Sequence, residues 1–205
     1  MKILVTAFDP FGGESVNPAM LAAEMLPDRI GAAELCRLTV PTVFSLAAER
    51  TIAAYDALHP DAVVLVGQAG GREAVTPERV AINVADARIE DNQGNQPVDQ
   101  TIVPDGPAAY FSTLPVRGMV DAICALDIPA QISNTAGTFV CNDLMYRMLH
   151  HIAGSGKTVP CGFIHVPFIP EQTADKPDKP SMPLEKIVRA LTAAVEVLVH
   201  GLQNS

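Results

Sequence analysis

Tryptophan is absent from these 205 residues, and phenylalanine and tyrosine supply only 5% of them. That leaves too few flat rings for a base-stacking platform on single-stranded nucleic acid. Positive charge is scarce as well: 14 Lys and Arg stand against 23 Asp and Glu, for a formal net charge of −9, with no basic cluster. Neither a nucleic acid nor an anionic membrane is therefore an expected partner. No apolar run reaches the ~20 residues that cross a bilayer as a helix. The opening stretch Met1–Phe8 meets Asp9 too soon for a signal-peptide core and reads as a first strand. The four cysteines (Cys36, Cys124, Cys141, Cys161) include no C-x-x-C pair. They read as reduced thiols of a cytoplasmic protein. Internal repeats and long linkers are missing too, so residues 1–205 are expected to form one domain, large enough to bury a core without disulfides or metal.

What is present is apolar and ordered in alternation. Strands are expected over 3–8, 35–40, 62–66, 130–133 and 161–166, with a strand or bent ribbon over 79–89. Helices are expected over 19–26 capped by Asn17, from Thr42 as cap to about Leu58, over 107–126 with a bend at Pro115, over 140–153, and for about 20 residues from Pro183. Residues 168–182 form a proline-rich loop. This order predicts an α/β three-layer sandwich, a mostly parallel central sheet with helices on both faces. Sites in such folds collect at the carboxyl ends of the strands. Asp9–Gly13, Gly67–Arg72, Thr135–Cys141 and His165 all fall at that edge and should converge.

Residues 133–153 are the most informative stretch. Ser133-Asn-Thr-Ala-Gly-Thr-Phe-Val-Cys-Asn142 is small and polar at its start and suits a tight turn. Val140, Leu144, Met148 and Ile152 then recur every four residues, the stripe of a packed helix. Cys141 falls in its first turn, where unpaired N–H groups favour an anion and can lower a thiol pKa towards neutrality. A buried cysteine is also an ordinary core residue. His165 lies near the end of its strand, on the same face as Cys161 and Phe163. Its position on the same edge as Cys141 makes it the candidate base. A third group to hold the imidazole is available from Glu78, Asp86, Glu90 or Asp91, among which spacing does not choose.

Two other motifs fail on inspection. Cys161 and His165 lie about 13 Å apart along an extended strand, and no second close pair completes a zinc site. Gly156-Lys157-Thr158 ends like a phosphate-binding loop, but His151 stands where the motif needs glycine, and the loop follows a helix instead of preceding one.

Six blocks in order resemble the bacterial pyroglutamyl peptidase family of cysteine peptidases. They are Phe8-Asp-Pro-Phe-Gly-Gly13, Gly67-Gln-Ala-Gly-Gly-Arg72, Pro77-Glu-Arg-Val-Ala-Ile-Asn83, Asp91-Asn-Gln-Gly-Asn-Gln-Pro97, Ser133–Asn142 and Gly162-Phe-Ile-His-Val-Pro-Phe168. The resemblance runs over essentially the whole chain. It implies Cys141 as nucleophile, His165 as general base and Glu78 as third member, in a cofactor-free, cytoplasmic, commonly tetrameric enzyme that holds no metal. Asp143 departs from the histidine of many members. The implied substrates are peptides beginning with 5-oxoproline, a neutral lactam that needs flat apolar walls and a few hydrogen-bonding groups. Phe8, Phe11, Ile89, Phe139 and Val140 are the expected walls. Gln68 offers a donor and an acceptor, and Asn17 is a further polar candidate. Two rival readings are an α/β hydrolase or transferase using the same Cys–His pair on another acyl group, and a nucleotide-binding module in which Cys141 is structural.

Overall fold

Ala62–Gln68 is uncharged and buried at all seven positions, the composition of a strand covered on both faces. In the computed structural model, which describes residues 1–204, it is the central strand β4. The strands are β1 (Lys2–Phe8), β2 (Arg29–Ile30), β3 (Ala33–Val40), β4, β5 (Thr76–Pro77), β6 (Val80–Ile82), β7 (Ala109–Phe111) and β8 (Cys161–Val166). The helices are α1 (Pro18–Met25), α2 (Leu46–Leu58), α3 (Val116–Cys124), α4 (Val140–Gly154), α5 (Pro170–Thr173) and α6 (Leu184–Gln203). The main sheet runs β2-β3-β1-β4-β8-β5. β3, β1, β4 and β8 are parallel neighbours, and the short edge strands β2 and β5 are antiparallel.

The period of two along each strand divides the core. Ile3, Val5, Val64, Val66 and Ile164 face α1, α3 and α6. Leu4, Phe8, Val63, Leu65, Cys161 and Phe163 face α2 and α4. The expected three-layer α/β sandwich is thus observed, and alternation assigns side chains at the strand ends as well. Gly67 and His165, paired in register, turn towards α4, whereas Gln68 turns to the opposite layer.

Four local expectations are corrected. Residues 107–126 do not form one helix. Ala109–Phe111 is β7, paired antiparallel with β6 in a separate two-stranded sheet, and the helix starts only after Pro115, whose ring and missing N–H suit a boundary. The stretch 130–133 is extended but joins residues 75–78 through single bridges at Ala130 and Ser133 instead of forming a strand. Thr42 does not cap α2: its hydroxyl donates to the Asp9 carbonyl, and α2 begins at Leu46 after Ser45 adopts φ 61°. The proline-rich segment contains the short helix α5, and Pro183 precedes α6 as its cap instead of entering the helix.

Candidate active site

Cys141 is the second residue of α4, carried over the carboxyl end of the sheet by the turn through Gly137, whose φ of 78° suits glycine. Two buried side chains fix this helix end. Asn142 accepts from Ile82 N–H at 2.9 Å and donates to the carbonyls of Ile82 and Val84. Asp143, where the resemblance leads one to expect histidine, accepts from Ser45 N–H at 2.9 Å and from Arg147 Nε at 2.8 Å. The Cys141 sulfur lies over Gly67, so close that a Cβ there would come within 3.2 Å of it. Gly67 is the register partner of His165 on the adjoining strand. Neighbouring strands lie about 4.8 Å apart, so the residue beneath the sulfur and His165 are neighbours at one edge of the sheet.

The third group is selected by β5. This two-residue strand pairs antiparallel with β8, Thr76 opposite His165, and delivers the next residue but one, Glu78, beneath the ring. Its carboxylate Oε1 accepts from His165 Nδ1 at 2.7 Å, and Arg72 Nη1 donates to the same oxygen at 2.6 Å. Glu78 is fully buried. Burial alone would raise its pKa, but the hydrogen bond and charge of His165, with Ser133 and Arg72, hold it below the usual range. An ionised Glu78 only accepts, so the proton of a neutral His165 sits on Nδ1 and Nε2 keeps its lone pair.

Asp91 plays another part. It takes hydrogen bonds from the N–H groups of Phe44, Gln93 and Asn95 and from the Asn95 amide, which pin a loop. Asp86 is exposed at the cleft rim, and Glu90 is exposed.

The electrostatics correct one expectation. Burial and the nearby Glu78 carboxylate push the Cys141 thiol up to about 12, against the opposing pull of Arg72 and its own backbone N–H. The helix end does not by itself yield a thiolate. Burial also lowers His165, only partly countered by Glu78. Burial thus works against charge on both partners, the Cys141 thiol and the His165 ring.

A cleft of about 490 Å³ opens over the sulfur, lined among others by Phe11, Gln68, Arg72, Ile89, Thr135, Phe139, Cys141 and His165. The four strand-end loops do converge there. The Phe139 ring meets Phe11 at 6.1 Å and, edge-on, Phe44 at 5.3 Å. Phe8, Asn17 and Val140 do not line this cleft. Phe8 is buried against Phe163. Asn17 is consumed as the α1 cap, accepting from Ala19 N–H and donating to the Asp9 carbonyl. Val140 is fully buried in the core beneath α4. Arg72 was legible only as the end of a glycine-rich loop. Nothing in the spacing announced its contact with Glu78.

An α/β sandwich that gathers a cysteine, a histidine and a buried glutamate at the carboxyl edge of its sheet has the make-up of a thiol-dependent hydrolase. The family model described as pyroglutamyl peptidase matches residues 1–201, and the chain belongs to that family. It is 54% identical over 201 residues to a pyrrolidone-carboxylate peptidase of Staphylococcus saprophyticus, covering 98% of this chain and 94% of the relative. It is 51% identical over 199 residues to that of Clostridium perfringens, covering 97% and 93%. The crystal structure of Bacillus amyloliquefaciens pyroglutamyl peptidase I superposes with a TM-score of 0.92 at 47% identity over 95% of each chain. Pyrrolidone carboxyl peptidase from the hyperthermophile Pyrococcus furiosus gives 0.94 at 44% identity, over 98% of this chain and all of the other.

Proposed function

We propose that this chain, as one catalytic domain over residues 1–205, removes 5-oxoproline from peptide amino termini with Cys141 as nucleophile, His165 as proton carrier and Glu78 as its orienting carboxylate. The protein is a cysteine peptidase of the pyroglutamyl peptidase type. The observation that carries the residue roles is the 2.7 Å bond from His165 Nδ1 to the buried Glu78, beside a sulfur seated on Gly67. The Cys141 S–H proton passes to His165 Nε2 as sulfur bonds to the pyroglutamyl carbonyl carbon. First-turn N–H groups of α4 favour the oxyanion. The imidazolium, held by Glu78, gives its proton to the leaving amine as the C–N bond breaks. Water, deprotonated by His165, then attacks the thioester, releases 5-oxoproline and restores the thiol. The cleft is tuned to a neutral ring: Phe11, Ile89 and Phe139 give apolar walls, and Gln68 gives polar contact.

A pyroglutamyl amide of a fluorescent amine should release its fluorophore, and acid-quenched mixtures should show one pyroglutamyl unit added to the Cys141 peptide. Turnover without that adduct, or with it on Cys36, Cys124 or Cys161, would displace Cys141. We place the enzyme in the cytoplasm as a homotetramer. Its four free cysteines support the first, and exposed Val98 and Phe111 support an assembly. Among the described residues no helix is long and apolar enough to cross a membrane.

Phe11→Ala should raise KM for pyroglutamyl amides about tenfold, with melting temperature little changed. Phe11 is half-buried at the cleft and absent from both core clusters. A core phenylalanine would instead cost about 3–5 kcal/mol of stability on truncation. A sharp drop in melting temperature with constant KM would remove Phe11 from the binding wall.

A further inference from the structure

We propose that Arg72 is a positioning residue for the reaction: it holds the Glu78 carboxylate and the turn ahead of Cys141 in one frame, and it keeps a fixed positive charge beside the His165–Glu78 pair. This rests on the activity set out in the preceding subsection and names a fourth side chain on which the chemical step depends.

The Gly67–Arg72 loop is shaped to deliver this side chain. The Arg72 N–H closes a turn on the Ala69 carbonyl at 3.2 Å. The Phe168 ring lies so close over Gly70 that a Cβ there would stand 2.1 Å from it. From that turn the guanidinium reaches three partners. Nη1 donates to Thr76 Oγ1 and to Glu78 Oε1, each at 2.6 Å, and Nη2 donates to the Thr135 carbonyl at 3.2 Å. Thr76 is the register partner of His165. Thr135 stands in the turn that leads into α4 and Cys141. Glu78 Oε1 is also the atom that accepts from His165 Nδ1, so the bond that orients the ring and the bond from Arg72 meet on one oxygen. Without the arginine, the carboxylate loses a charged anchor on the very atom that has to hold the imidazole. A lysine ammonium would keep the charge but lacks the planar fork that joins Glu78 to Thr135.

The charge has a signed consequence. The titratable and charged groups around His165 are Glu78 just beyond β5, Arg72 in the loop after β4 and Cys141 on α4, with Asp86 and Arg88 elsewhere on the same cleft. Burial lowers the His165 pKa, Glu78 raises it, and the Arg72 charge lowers it further. On Cys141, burial and Glu78 raise the thiol while Arg72 pulls it down. Arg72 therefore opposes Glu78 at both reacting groups. It keeps the ring a base to lower pH and eases ionisation of the sulfur.

Arg72→Gln is the direct test. For the fluorogenic pyroglutamyl amide, kcat should fall about 30-fold. The acid limb of kcat/KM should move to higher pH by about half a unit or more, because the charge that resisted protonation of His165 is gone. Glu78→Gln should move the same limb the other way. Arg72→Lys keeps the charge, so its limb should stay within about 0.2 unit of the wild type while kcat drops about tenfold for want of the fork. A merely structural arginine would lower the melting temperature and leave the limb in place in both variants. If Arg72 acts through Glu78, the double variant Glu78→Gln/Arg72→Gln should match Glu78→Gln within about fivefold. A limb that stays or moves to lower pH in Arg72→Gln would overturn the proposal, and so would losses that multiply in the double variant. Should Arg72→Gln fail to fold, wild-type kcat or a displaced limb in Arg72→Lys would overturn it instead. A wild type that fails to cleave the amide would take down the activity itself.

Discussion

Glu78→Gln is expected to lower kcat about 10⁴-fold, the scale seen when an orienting acid loses its charge, while binding of a free lactam stays nearly constant. Burial opposes charge on His165, so an imidazolium formed in turnover sits in an unfavourable place. Glu78, 2.7 Å from Nδ1, is the group that stabilises that cation. Glutamine fits the space but supplies no charge, and its NH₂ can impose the wrong tautomer. The pH profile adds a signed check. Catalysis needs neutral His165, which burial holds below the ordinary 6.5. The acid limb of kcat/KM in the wild type should therefore fall below pH 6.5. Glu78 works against that depression, so its neutralisation should move the limb to still lower pH. Asp91→Asn is the control. Its loop bonds predict a lower melting temperature, with turnover largely kept in the folded protein. Loss of turnover in Asp91→Asn beside a nearly silent Glu78→Gln would invalidate the assignment.

Gly67→Ala should reduce kcat about 100-fold and stability by about 1–3 kcal/mol, although it adds a single methyl group. That carbon would stand 2.6 Å from the Phe163 ring and 3.2 Å from the Cys141 sulfur. The ring has little room to yield. It is fully buried, with Phe8 at 6.2 Å on one side and the His165 imidazole at 4.7 Å on another. Relief of the clash thus moves base or nucleophile. Calorimetry and steady-state kinetics on one preparation test both parts. Wild-type kcat with an unchanged melting temperature would show that the sulfur is not seated as described.

Local features were the legible ones. The aliphatic run of β4 and the four-residue stripe of α4 declare burial within a few neighbours, and the turn before Cys141 is written in small residues. The 107–126 stretch misled because its apolar spacing fits a helix, whereas Ala109–Phe111 is claimed by β6, some thirty residues earlier. Glu78 could not be separated from Asp86, Glu90 and Asp91 for the same kind of reason. What selects it is the pairing of Thr76 with His165, a contact between distant segments that no local pattern encodes. Phe8 and Val140 share blocks with cleft residues and Asn17 follows one closely, yet nearness in sequence did not bring them to the cleft. Strand alternation and a cap took their side chains elsewhere.

The side-chain amide of Gln172, in α5, donates to Glu14, 158 positions earlier, and the His165–Glu78 bond spans 87. Such long closures, in a sheet whose central strands are all parallel, belong to the slow part of chain assembly. During refolding from denaturant, helical signal should therefore return well before turnover. Chains that have already regained their backbone structure would pass through an interval of catalytic silence, until the first and last thirds of the polypeptide meet.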